Sequence, residues 1–221
     1  MWAMFVSVAS AADLPARLAE VAPLRSMRAT RPPAVPDSGY TRAIAGEVAT
    51  GVTAGTDGKN KVWGVAVVAV PIDRYWGAIN DDRAKVQWTD LEHLELLSGE
   101  YCAARKTVFQ YLDVDVFSDR WWVVEQTQNV ALSSAAGGTV RELSWRSVAD
   151  AQAVMNDAAR EWAARGVQVE TTAGAWLLVD LGDGTTLVEY SAWSDPGGIL
   201  PAGVVSRFAA GSVASTIDAM R

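Results

Sequence analysis

The sequence predicts an α+β chain in which an antiparallel sheet receives a long C-terminal helix on its concave face. Three observations predict it. The 221 residues are 50% hydrophobic and 20% charged, a globular composition of single-domain length. Between Lys61 and Trp193 most of the chain falls into Val-rich or alternating segments separated by turn signals, the pattern of strands with one buried face. The final twenty residues instead carry Val205, Phe208, Ala209, Ser212, Val213, Thr216, Ile217 and Met220, a continuous stripe of helical period that must bury against the sheet.

Composition excludes several function classes. Nineteen Lys+Arg against 26 Asp+Glu leave a net charge of −7, which repels phosphate and disfavours nucleic acid as a partner. One Cys and one His supply neither a disulfide framework nor a His-rich metal centre. No metal or other cofactor is expected. Glycine clusters at Gly51–Gly58 and Gly137–Gly138 match no phosphate-binding loop. Ten Trp suit a large core or an apolar pocket wall.

Residues 1–12 read MWAMFVSVASAA. The apolar run Trp2–Val8 followed by Ala9-Ser10-Ala11 fits the back half of an export signal without its basic start. The expectation is an exported chain, periplasmic or secreted. The alternative is an apolar helix packed on a cytoplasmic domain. The next segment, 13–39, starts with a helix capped by Asp13 and carrying Leu14, Leu18 and Val21, and continues as a linker holding Pro32, Pro33 and Pro36.

The main domain is placed at 40–221. Tyr40–Thr50 and Lys61–Val70 are expected to pair as a hairpin about the Thr56-Asp57-Gly58 turn. Pro71 suits the first turn of a helix with Ile72, Trp76 and Ile79 on one face, stopped by Asn80-Asp81-Asp82. Strands follow at Glu92–Glu100, Arg105–Val116, Arg120–Val130 and Thr139–Val148. A helical insertion, 150–165, is capped by Asp150 and closed by Gly166. Val167–Leu181 and Thr185–Trp193 then form a hairpin about Gly182-Asp183-Gly184. Asp195–Pro201 is a rigid turn into the last helix, Ala202–Arg221.

Three passages carry a family resemblance. Val70-Pro71-Ile72-Asp73-Arg74-Tyr75-Trp76 resembles the strand-Pro-helix opening of the START-like helix-grip superfamily. Val116-Phe117-Ser118-Asp119-Arg120-Trp121-Trp122 is similar to its Ser-Asp-Arg-Asp strand start, with Trp121 where Asp is usual. Gly174-Ala175-Trp176, the Gly182–Thr185 hairpin, Glu189-Tyr190 and Asp195-Pro196-Gly197-Gly198-Ile199-Leu200-Pro201 resemble its closing passage into a lid helix. The resemblance covers roughly Lys61–Arg221. The helix at 150–165 departs from the pattern. It implies a curved antiparallel sheet wrapped around the C-terminal helix, with a hydrophobic tunnel for a lipid, sterol, quinone or polyketide. Most such proteins bind or carry ligands; some catalyse cyclisation.

Candidate ligand-binding residues are Arg120, Trp122, Gln126, Trp145, Trp176, Tyr190, Val205 and Phe208. Arg120 would meet a polar head group, or pair with a carboxylate such as Asp119 or Glu142, since buried guanidinium needs a partner. Trp121 and Trp122 are neighbours in a strand and face opposite sides; Trp122 is taken as the inward one. Trp145, Trp176 and Tyr190 line a pocket or pack a core. Gln126, with Gln128, Glu142 and Ser144, orients a head group or faces water. Val205, Phe208 and Val213 close the tunnel, hinged at Gly197, Gly198 and Gly203, or dock permanently. His93 and Cys102 lack catalytic partners in the sequence. The leading expectation is a binding or transport protein for a hydrophobic small molecule, with transient membrane contact. A cyclase-type enzyme using Tyr190, Glu142 and Arg120, and an interaction module with a filled core, are the alternatives.

Overall fold

The computed structural model describes residues 14–54, 60–114, 118–195 and 213–219. Nine strands form one sheet: β1 (Ala49–Ala54), β2 (Asn60–Val68), β3 (Leu91–Ser98), β4 (Arg105–Leu112), β5 (Arg120–Gln128), β6 (Val140–Ser147), β7 (Val167–Gln168), β8 (Thr171–Asp180) and β9 (Thr186–Asp195). Their order is β1-β2-β9-β8-β6-β5-β4-β3, antiparallel throughout, with β7 paired parallel to the start of β5. The sheet curves and does not close. The helices are α1 (Leu14–Val21), α2 (Asp37–Ile44), α3 (Ile72–Asn80), α4 (Asp82–Trp88), α5 (Val130–Ala135), α6 (Ala151–Val154) and α7 (Asp157–Ala163). A final helical stretch occupies 213–218.

The two-residue period of the strands divides the core between two faces. On the concave face Val62, Ala66 and Val68 of β2, Trp176 and Leu178 of β8, Val188 of β9 and Leu143 of β6 pack against Ile72, Tyr75 and Ile79 of α3 and against Val213 and Ile217. The convex face carries two further clusters. At one end Trp63, Val65, Leu177, Val179 and Leu187 meet Leu14, Val21, Ala43 and Leu132. At the other, Phe109, Tyr111, Trp121 and Val123 meet Ala151, Met155, Ala159 and Ala163.

Gly64 fixes how closely the C-terminal helix lies on the sheet. A Cβ there would run into Val213 Cγ1 and stand 3.0 Å from Ile217 Cδ1. Gly64→Val is therefore expected to destabilise the fold by about 1–3 kcal/mol through overpacking and to expose residues 213–218 to amide exchange. Unchanged protection there would show that the helix does not rest on β2.

Several expectations change. The strand expected at Tyr40–Thr50 opens instead with the second half of a helix: Asp37 lies in the first turn of α2 behind Pro36, α2 runs to Ile44, and the strand begins only at Ala49. Charge at the first turn favours a helix, and no strict apolar alternation opposes it. The helix expected over 150–165 is two short ones, because Met155 turns extended and Asn156 caps the second by accepting from Ala159 N–H. Asn80-Asp81-Asp82 ends α3, but Asp81 also caps a new helix by accepting from Arg83 N–H. The strand expected to run to Val130 ends at Gln128, and α5 begins at Val130. There Asn129 caps by accepting from Leu132 N–H at 3.1 Å.

The chain on either side of the Pro-rich stretch 30–39 is anchored along the convex face. Arg28, on its approach, reaches Glu142 at 3.1 Å and Glu189 at 3.3 Å. Ala29 N–H donates to Glu142 at 2.7 Å and Tyr40 Oη to Glu189 at 2.9 Å. Arg25 pairs with Glu189 through both guanidinium nitrogens. Residues 1–12, the Asp195–Pro201 turn beyond Asp195, and the hinge glycines with Val205 and Phe208 lie outside the described residues.

Candidate functional site

Between the concave face and the helices lies a cavity of about 170 Å³. This is smaller than the several hundred Å³ typical of a ligand tunnel. The two-residue period selects its sheet wall. Gln110 and Leu112 of β4, Trp122, Val124 and Gln126 of β5, Leu143 and Trp145 of β6, Trp176 of β8 and Tyr190 of β9 all share one parity face. Lys85 and Trp88 of α4, Thr89–Leu91 and Thr216 of the C-terminal helix complete the lining.

Five of the described lining residues are aromatic, and three of them, Trp145, Trp176 and Tyr190, hold one another in place. Trp176 meets Tyr75 at 6.2 Å and Tyr190 at 4.6 Å between ring centroids, both edge to face. Trp145 lies 5.4 Å from Tyr190. Its ring occupies the space a side chain at position 174 would take, which is why glycine stands there. Trp122 Nε1 donates to Gln110 Oε1 at 2.6 Å, so its one polar atom is satisfied. Burial pushes the Tyr190 phenol above its ordinary range, so it stays protonated and remains a hydrogen-bond donor at neutral pH.

One end of the cavity is polar. Lys85 Nζ donates to Asp82 Oδ1 at 2.5 Å and stands 3.5 Å from Gln126 Oε1. Lys106, opposite Gln126 in the β4–β5 register, pairs with the other oxygen of Asp82 and donates to Asn80 O at 2.7 Å. The side chains of Asp82 and Lys106 are 0% exposed and that of Lys85 9%. Desolvation holds the Lys85 ammonium below the ordinary lysine pKa; Asp82 opposes that shift and Lys106 adds to it.

Trp122, Gln126, Trp145, Trp176 and Tyr190 thus stand together on the lining. Arg120 does not line it: although buried, its guanidinium turns back to the carbonyls of Ser118 and Asp119, the latter at 3.3 Å, at the opening of β5. Glu142 is on the convex face, in the cluster that anchors the N-terminal segment. Of the three groups named for a cyclase, only Tyr190 reaches the cavity. Gln128 bonds Asn80 Oδ1 at 2.9 Å beside the lysine cluster, and Ser144 donates to Thr127 O at 3.3 Å. His93 stacks on Trp162 at 4.6 Å on the outer face, and Cys102 is exposed in the β3–β4 turn. Sequence reasoning missed Lys85, Trp88, Gln110, Leu143 and Thr216. Gln110 and Leu143 follow from Trp122 and Trp145 once parity and register are known. Lys85 had no signal while Asp81 was read only as a helix stop.

No protein-family model matches the chain, and no curated protein matches it. Solved structures do. The STAR-related lipid transfer protein fragment of Xanthomonas axonopodis is 20% identical with a TM-score of 0.63, over 79% of this chain and 91% of its own. Human StAR-related lipid transfer protein 5 is 12% identical with a TM-score of 0.62, over 95% and 94%. The Zhui aromatase/cyclase of Streptomyces sp. R1128 is 13% identical with a TM-score of 0.51, over 72% and 90%. With its open, curved sheet laid against helices on the concave side, this chain has the START-like helix-grip fold.

Proposed function

We propose that this protein binds and transports a lipid or other hydrophobic small molecule between the sheet and its C-terminal helix. The observation that carries the reading is the aromatic wall of Trp88, Trp122, Trp145, Trp176 and Tyr190 around a cavity on the concave face. Apolar burial drives such binding at about 25 cal/mol per Å² removed from water, and a few polar groups at one end orient the ligand. The fold shared with proteins named as lipid-transfer domains supports the same role. A cyclase is the weaker alternative, since Glu142 and Arg120 do not line the cavity and Tyr190 alone is no acid–base pair. The apolar run ahead of Ala9-Ser10-Ala11 supports export as the setting.

Native mass spectrometry of the purified chain, followed by organic extraction, is expected to release a bound apolar molecule. A fluorescent fatty acid or sterol is expected to bind saturably and to lose affinity in Trp176→Ala. Absence of both co-purified ligand and saturable binding would overturn the role and favour a filled interior.

A further inference from the structure

The polar end of the cavity has unequal charge. Two ammonium groups, Lys85 and Lys106, share one carboxylate, Asp82. Lys106 is the inner one, closed off by Asn80 O. Lys85 is the one on the lining, and among the described lining residues it is the sole cation. The other acids nearby do not settle the balance. Asp81 is held in a fork by Arg83 at 2.9 and 3.1 Å on the surface. Asp90, the only carboxylate among the described lining residues, is exposed, where water screens it. Unbalanced charge in a low-dielectric interior is costly, and a counter-ion relieves the cost.

Given the ligand-binding role proposed above, we infer that the cavity selects an amphiphile with a single negative charge, a carboxylate on an apolar body, whose head group meets Lys85 Nζ. One carboxylate brings the buried cluster to neutrality; an alcohol leaves it charged, and an amine adds to the excess. The remaining body of the ligand lies along Trp122, Trp145 and Trp176. The net charge of the chain, −7, repels anions at long range, so a preference for them must arise locally.

The test is a head-group series at constant chain length. Decanoate, decan-1-ol and decylamine are titrated calorimetrically into the full chain at about pH 7. Decanoate is expected to bind at least about tenfold tighter than decanol, with decylamine weakest. Lys85→Met should bring decanoate down to the affinity of decanol, and Lys85→Arg should restore the preference. If Lys85→Met does not fold, the parent series and Lys85→Arg still decide. Decanol binding as tightly as decanoate, amine binding tightest, or a preference that survives Lys85→Met would each overturn the inference while leaving the carrier role intact. Failure of all three probes to bind would overturn both.

Discussion

Arg28→Met is expected to destabilise the protein by about 3–5 kcal/mol, the cost of breaking a buried ion pair from one side. Arg28 is almost fully enclosed and is the cation that serves Glu142, whose side chain is 0% exposed. Without it, Glu142 keeps only neutral donors: Ala29 N–H at 2.7 Å, Asn129 Nδ2 at 2.9 Å and Thr30 Oγ1 at 3.4 Å. Methionine restores much of the volume but none of the charge. A fall of roughly 6–20 °C in Tm follows for a chain of this size, and urea melts give the free energy directly. A loss below about 1 kcal/mol, the scale of a solvated surface pair, would show that residues 25–30 do not lie against the sheet.

The same cluster makes stability depend on acid. Burial alone would raise the pKa of Glu189, but Arg25, Arg28 and Tyr40 more than reverse this and hold the carboxyl below its usual range. A depressed folded pKa contributes stability that is present above the unfolded value, about 4.3, and lost as pH falls through the folded one. Urea midpoints of the parent should therefore fall on acidification through that window. Arg28→Met, which removes part of the cause, should show a shallower decline.

Asp82→Asn is the second large effect, again about 3–5 kcal/mol. It leaves Lys85 and Lys106 buried together with no carboxylate between them. Lys106→Met is expected to cost less, about 1–2 kcal/mol, because it removes the contacts to Asp82 and Asn80 O but leaves the Lys85–Asp82 pair neutral. Equal losses in the two variants would show that charge imbalance does not govern this site. The pH dependence has the same sign as that of Glu189 but lies in the alkaline range of a lysine. The folded Lys85 pKa lies below the ordinary value, so between the two values the unfolded chain binds more protons and stability rises with pH. The rise should be steeper in Asp82→Asn, where the opposing carboxylate is gone.

Much of this fold is legible in local pattern. Alternation in RKTVFQYL and RWWVVEQTQ marks β4 and β5 because successive side chains point to opposite faces. In the described part of the C-terminal stripe, Val213, Thr216 and Ile217 lie in a helical stretch, and Val213 and Ile217 are buried as that spacing requires. Adjacency alone dictates that Trp121 and Trp122 part company. Which of them faces the cavity depends on what covers each side: α7 lies over Trp121, whereas Trp122 meets Gln110 across the register.

The N-terminal segment shows the limit. Composition reads Pro32, Pro33 and Pro36 as a linker, because the partners that anchor its flanks lie far along the chain: Arg28 and Glu142 are 114 residues apart, Arg25 and Glu189 164. The lysine cluster has the same origin. Asp82 and Lys85 are near in sequence and look like a solvated helical pair, and only the β4–β5 register brings Lys106 and Gln126 over them. Sequence by itself determined the strands from β2 onward and the alternation of their faces, since each is set by neighbours within a few residues. Tertiary structure alone decided where the buried charges meet and which face is hollow, since a Coulomb or packing partner is chosen by distance in space.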